Sequence, residues 1–208
     1  MEEFKMNFVE DYLFDMEIII GNLRRVYSGD IQNIIDIIIN VAKNNGRIFF
    51  VGLGGSLSNS SHAVNDIRKI GNIECYNPAE NLSELTATTN DVGFEYVFYN
   101  WLVTSKLNSN DLLFFLSVGG GDKERNISLP IIKAADLGKV KGSKIVAIVG
   151  REEGYVNKIA DATIVIPPVN LERITPYSEG LQSVLLHLIV THPDIKKAKT
   201  KWEEAQSF

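Results

Sequence analysis

The chain has 208 residues, enough for one domain with a proper core, and its 45% hydrophobic and 23% charged residues are the balance of a soluble globular protein. A net charge of −5 leaves no basic footprint for nucleic acid, and no apolar run is long enough to cross a bilayer. The lone Cys75 excludes an intrachain disulfide and suits a reducing compartment; the acidic start MEEFKMNFVEDYLF lacks a signal-peptide pattern, so a cytoplasmic location is expected.

Apolar residues at Phe8, Leu13, Ile18, Ile19, Leu23 and Val26 recur at helical spacing. After a break at Ser28-Gly29-Asp30, a second set does the same: Ile31, Ile34, Ile35, Ile37, Ile38 and Val41. Residues 1–45 therefore read as an N-terminal helical hairpin. The second helix is so apolar that both of its sides need covering, and part of it is expected to pack against another subunit.

From Arg47 the texture changes. Short β-branched or aromatic runs at Ile48–Gly52, Ile73–Tyr76 (the weakest), Asp111–Ser117, Lys144–Val149 and Ala162–Ile166 read as strands. Helical patterns lie between and after them at Asn59–Ile70, Asp91–Leu107, Glu124–Leu137, Tyr155–Ala160 and Ser178–Thr191. Strands apolar on both faces that alternate with helices predict an α/β fold, a three-layer, doubly wound, parallel five-stranded sheet. The lysine- and glutamate-rich tail, 193–208, reads as a short exposed helix, and the whole of 1–208 as a single domain.

In such sheets ligands gather where strands end and helices begin. Two strand ends carry glycine-serine turns: Gly52-Leu-Gly-Gly-Ser56 and Ser117-Val-Gly-Gly-Gly-Asp122. One such turn is well explained as a tight connection; two in series expose N–H groups suited to an anion. A Rossmann fingerprint would need a third glycine where Leu57 stands, although Glu74 falls near the distance of a ribose-binding acid. No G-K-[ST] is present for a Walker loop, so no nucleotide cofactor is expected. A sugar phosphate fits better, with Ser56, Ser58 and Ser117 as hydroxyl donors and Gly119 to Gly121 as bare amides. Asp122 would repel a phosphate, and Lys123 and Arg125 would either offset it or be solvated helix residues.

Histidine occurs at positions 62, 187 and 192. His62 and Asp66, four apart, share one helix face, and Glu179 and His187, eight apart, lie roughly on one side of another. Singly, each histidine reads as a satisfied core or interface residue. His187, however, sits inside the apolar run LLHLIV and needs a partner. Together the four make a shell of nitrogen and oxygen ligands for a metal, or an acid/base set.

These residues resemble the sugar isomerase (SIS) domain proteins, and among them the phosphoheptose isomerases. The resemblance spans roughly residues 40 to 192. It is carried by Gly52-Leu-Gly-Gly-Ser56 with His62 six residues on, Thr86-Ala-Thr-Thr-Asn90-Asp91-Val-Gly-Phe94, Ser117-Val-Gly-Gly-Gly121, Val149-Gly-Arg151-Glu-Glu-Gly154, and Glu179 through His187. It implies a flavodoxin-like fold and a homotetramer with active sites at subunit interfaces. It also implies interconversion of D-sedoheptulose 7-phosphate and D-glycero-D-manno-heptose 7-phosphate through an enediol, with zinc in some members. Carried over by position, His187 and Asp66 become the acid and base, and His62, Asp66, Glu179 and His187 the metal set. Gly54, Gly55, Ser56, Ser117, Gly119 and Gly120 become the phosphate loops, Asn90 and Asp91 substrate contacts, with Asp122 and Glu179 joining the substrate-binding set.

Three departures stand out. The family's S-T-S-G-N-S loop is Ser117-Val-Gly-Gly-Gly-Asp122 here, Asp66 replaces a glutamate, and Glu179 replaces a glutamine. The first favours an alternative reading, a non-catalytic SIS protein that binds a sugar phosphate or a partner as a regulator. The retained His62/Asp66 and Glu179/His187 pairs favour catalysis. The added carboxylate at 179 makes dependence on a divalent metal the expectation, zinc first.

Overall fold

The computed structural model describes residues 7–205, so the ends of the two terminal segments read from sequence, 1–6 and 206–208, lie outside the described residues. The elements run α1 (Phe8–Val26), α2 (Ser28–Lys43), β1 (Ile48–Gly52), α3 (Gly55–Lys69), β2 (Cys75–Tyr76), α4 (Leu82–Asp91), α5 (Val97–Thr104), β3 (Leu112–Ser117), α6 (Leu129–Lys141), β4 (Lys144–Val149), α7 (Tyr155–Ile159), β5 (Ala162–Val165), α8 (Ile174–Val190) and α9 (Lys201–Ala205). Single 3-10 turns precede α5 and α8.

The five strands form one parallel sheet of order β2-β1-β3-β4-β5. Alternate strand residues feed opposite faces, as the two-residue period of a strand dictates. Ile48, Phe50, Phe114, Val146 and Ile148 join α1, α2, α3 and α8 in one core layer; Phe49, Val51, Phe115, Ala147 and Val149 join α5, α6 and α7 in the other. The doubly wound, five-stranded expectation holds, down to the faint β2. Order reverses between β1 and β3, so their C-terminal ends splay apart there and leave a crevice. Cys75 is buried, and burial pushes its thiol up to about 12, which makes it an inert core residue.

Two sequence expectations are corrected in detail. The apolar excess of α2 is largely covered by its own chain, because α2 lies between β5 and α1, with Ile31, Ile34, Ile35, Ile38 and Val41 all buried. The uncovered apolar surface is on α1 instead: Ile19 and Leu23 are buried and Tyr12 and Met16 pack against the core, while Phe8, Leu13, Phe14 and Ile20 face outward. The helix expected from Glu124 begins only at Leu129; residues 122–128 are a tight hairpin in which Asp122 and Ile127 exchange both backbone hydrogen bonds at 3.0 Å. Among the described residues no helix is long and apolar enough to cross a membrane.

At the sheet end opposite the crevice, buried Asp111 staples β1 to β3. It accepts from Arg47 N and Nε (both 3.1 Å), Arg47 Nη2 (2.7 Å), and Asn108 N and Nδ2 (both 3.0 Å). Asp111→Asn keeps the shape but removes the charge and one acceptor oxygen. It is expected to cost about 2 kcal/mol in urea denaturation while leaving ligand binding at the far end unchanged.

Candidate functional site

The crevice is a cleft of about 720 Å³ at the C-terminal ends of β1 and β3, lined by Ser56, Ser117, Gly119, Asp122, Arg125 and Arg151 among others. Gly54, at φ +60°, turns the chain sharply out of β1 so that α3 starts at the sheet edge. The N–H groups of Gly55 and Ser56, in the first turn of α3, make no hydrogen bond among the described residues. Nor does the Ser56 hydroxyl, although that residue is only 1% exposed. An unpartnered hydroxyl that opens on the cleft beside a helix N-terminus is a ready seat for an anion.

After β3 the Ser117 hydroxyl is committed to its own turn, accepting the Gly120 N–H at 3.0 Å. The N–H groups of Gly119 and Gly121 are left without acceptors among the described residues. Gly120 and Gly121 adopt φ of +68° and +82°, and their carbonyls accept from Val156 and Tyr155, which locks this loop to the start of α7. The Asp122 carboxylate turns back onto its own hairpin, accepting the N–H groups of Glu124 and Arg125 at 2.9 Å each. Those bonds, the Arg125 one foremost, hold it below the usual carboxylate range, so it stays ionised.

The second constellation lies on the other side of α3, where it packs against α8. Asp66 Oδ2 is 3.0 Å from His62 Nε2 and 3.4 Å from His187 Nε2, with the two rings edge-on at 5.0 Å between centroids. Asn65 Nδ2 donates to Asp66 Oδ1 at 2.9 Å. The helices are tied by Asn59 Nδ2, which donates to Glu179 O (2.8 Å) and Gln182 Oε1 (3.2 Å). Asp66 is 14% exposed but His62 and His187 are 56% and 51% exposed, so the trio is open to an outside ligand. One donor atom from each lies within 4.8 Å of the others, a spacing that fits a divalent ion held by two imidazoles and a carboxylate.

The structure thus joins three of the four proposed metal ligands and separates the fourth. Eight residues along a helix carry Glu179 about 12 Å from His187. Its carboxylate rests against Gly55 at the start of α3, so close that a Cβ on Gly55 would overlap it. Asn90 and Asp91 lie on the exposed α4, where Asn90 Nδ2 donates to Asp91 Oδ1 at 2.7 Å, and they line neither the cleft nor the trio. Arg151 and Ser128, absent from the sequence-derived set, line the cleft. The signal for Arg151 was present, since it stands in the Val149-Gly-Arg151 motif that follows β4.

No protein-family model matches the chain. Among curated proteins it is 28% identical to the phosphoheptose isomerase of Haemophilus ducreyi over 175 residues, covering 82% of this chain and 84% of that one. It is 30% identical to the phosphoheptose isomerase of Glaesserella parasuis over 165 residues, covering 76% and 79%. The chain belongs to the phosphoheptose isomerase family. Among solved structures, the phosphoheptose isomerase of Neisseria gonorrhoeae superposes with a TM-score of 0.76 at 20% identity, over 87% of this chain and 94% of that one. That of Francisella tularensis gives 0.72 at 16% identity, over 90% and 100%. At these identities the structures establish the shared fold, and the curated relatives establish the family and with it a sugar-phosphate isomerase enzyme.

Proposed function

We propose that the protein interconverts D-sedoheptulose 7-phosphate and D-glycero-D-manno-heptose 7-phosphate. The observation that carries this is the Asp66 carboxylate oxygen held between two half-exposed imidazoles, an acid/base set with no structural need for its openness. In the forward direction a base takes a proton from C1 of the ketose while an acid protonates the carbonyl oxygen at C2. The resulting enediol loses its O1 proton and regains one at C2, so protons are moved and none is consumed. Asp66, through the oxygen that an ion would leave free, is suited to the carbon proton, and His187 to the oxygens, either directly or through an ion it would help to hold. The phosphate belongs in the cleft, against Ser56, Gly119 and the first turn of α3. Glu179, whose carboxylate rests against Gly55, would accept from a sugar hydroxyl.

His62, Asp66 and His187 would hold a zinc ion, which when bound would polarise the substrate's carbonyl. Cleft and trio face different sides of α3, so one chain supplies two half-sites. An oligomer that sets the trio of one subunit against the cleft of another completes the site. The outward apolar residues of α1, with Val184 and Leu188 flanking His187 on α8, supply the surface for it, and a homotetramer is the assembly proposed.

Sedoheptulose 7-phosphate incubated with the protein should yield the aldoheptose phosphate, followed by NMR. A chelator should abolish turnover and zinc restore it, and gel filtration should give four times the chain mass. Absence of turnover under every metal condition would reject the isomerase reading. The hydroxyl-poor loop after β3 makes a sugar-phosphate-binding regulator the second reading, and phosphate binding without turnover is the outcome that would select it.

A further inference from the structure

The loop after β3 presents an unsolved charge problem. It offers one hydroxyl, that of Ser117, and that oxygen already accepts the Gly120 N–H. On the two glycine turns themselves, what remains is the Ser56 hydroxyl and the free N–H groups of Gly55, Ser56, Gly119 and Gly121, all neutral donors. A phosphate monoester is close to a dianion at neutral pH, and the roughly half positive charge at the start of α3 offsets only part of it.

We propose that Arg125, at the tip of the 122–128 hairpin, binds the phosphate of the substrate in place of loop hydroxyls and sets the requirement for a phosphorylated sugar. This rests on the reading of the cleft as the phosphate half of the isomerase site.

Four observations support it. Arg125 lines the cleft together with Ser56, Ser117 and Gly119. Its guanidinium has one ionic contact among the described residues, Nε to Asp122 Oδ2 at 3.7 Å, which is longer than a charge-assisted hydrogen bond and leaves its N–H fork unused. Of the Asp122 carboxylate, Oδ1 is occupied by two backbone N–H groups of the hairpin, so only Oδ2, at 3.7 Å, competes with a phosphate for the guanidinium. Finally, the hairpin is fastened in place. Lys123 Nζ contacts Asp136 of α6 at 3.1 and 3.2 Å and lies 3.9 Å from the centre of the Tyr155 ring, and the Tyr155 hydroxyl donates to the same Asp136. Lys123 therefore fixes the platform, and Arg125 is the hairpin cation left over for a ligand.

A planar fork matches phosphate oxygens two at a time, which an ammonium does not. Arg151 lines the same cleft from the loop after β4, with Glu153 near it. Arg151→Ala is therefore the internal comparison, and loss of phosphate affinity in that variant with none in Arg125→Ala would give the role to Arg151 and overturn the proposal.

The test combines titration calorimetry with inorganic phosphate and steady-state kinetics with sedoheptulose 7-phosphate. The proteins are wild type, Arg125→Ala, Arg125→Lys and Arg151→Ala, each checked for fold by circular dichroism. Arg125→Ala is expected to weaken phosphate binding and raise KM by about 10- to 100-fold with kcat within about threefold, the size of one lost charged hydrogen-bonding partner. Arg125→Lys should recover part of the loss, since charge returns without the fork. Unchanged phosphate affinity and KM in a folded Arg125→Ala protein would overturn the proposal, as would a wild type that binds no phosphate. If wild type binds phosphate but turns nothing over, the isomerase reading fails on its own. The calorimetry then decides for Arg125, loss of binding in the alanine variant supporting its role and equal binding refuting it.

Discussion

Gly154→Ala is expected to cost about 2–3 kcal/mol of stability and most of the phosphate affinity, although it adds a single methyl group. Gly154 has φ −57° and ψ 146°, a conformation that alanine adopts freely, so its own backbone carries no penalty. The cost comes from close approach. A Cβ there would overlap the Gly119 carbonyl oxygen and stand 3.0 Å from Gly120 Cα, both of them backbone atoms that no rotamer change can move aside. The two loops are also joined by hydrogen bonds from Tyr155 N to Gly121 O at 2.9 Å and Val156 N to Gly120 O at 3.0 Å. Relieving the overlap must open this seam and tilt the glycine loop that walls the cleft. Gly119→Ala is the control for stability, since its added Cβ meets nothing within 4 Å, and it should shift the unfolding free energy by no more than about 0.5 kcal/mol. Equal urea midpoints for Gly154→Ala and wild type would show that the loops part without cost.

Why some of this was legible from the amino acids and some was not follows from the reach of each signal. β1, β3 and β4 could be read because the apolar run in each is buried on both faces, which in an alternating α/β chain leaves little but a central parallel strand; the shorter edge strand β5 followed from the same alternation. The 122–128 hairpin was hidden. Lys123, Glu124 and Arg125 have ordinary helical propensity, and what overrides it is one side chain, Asp122, capping two N–H groups, with Asn126 and Ser128 in left-handed conformations at φ +55°. On α1 the helical period was right but the face was half wrong, because two apolar stripes coexist and only one meets the core of this chain. The His62–Asp66 pair was readable because four residues make nearly one turn. The link to Glu179 was not: eight residues overshoot two turns by about 80° and advance about 12 Å, which delivers the carboxylate to Gly55 instead of to the histidines. The same arithmetic separates Ser56 from His62. Six residues of α3 rotate the side chain about 240° away, so the glycine turn and the histidine that follows it end on different sides of one helix.

Asp66→Asn is expected to lower kcat about 1,000-fold while moving KM for the sugar phosphate only a few-fold. The substitution is isosteric, and Asn65 can still hold the side chain, now through an amide oxygen in place of Oδ1. What disappears is the anionic oxygen between the two Nε2 atoms, replaced by an NH2 group that can neither take a proton from carbon nor accept from both rings. KM should hold because the phosphate is bound on the other side of α3. His187→Ala should fall by a comparable factor, and the double variant is the decisive measurement. If Asp66 and His187 act as one unit, Asp66→Asn with His187→Ala should cost little more than either alone, since the second loss removes a partner already idle. Multiplying losses would instead assign them to separate steps, and retained turnover in both single variants would remove the trio from the chemistry while leaving the cleft in place. Asp66→Glu adds a further constraint. With Oδ2 already 3.0 and 3.4 Å from its two partners, an extra methylene pushes the carboxylate into the rings. A loss of about tenfold is expected, which would show that α3 and α8 sit at a spacing fitted to the shorter side chain.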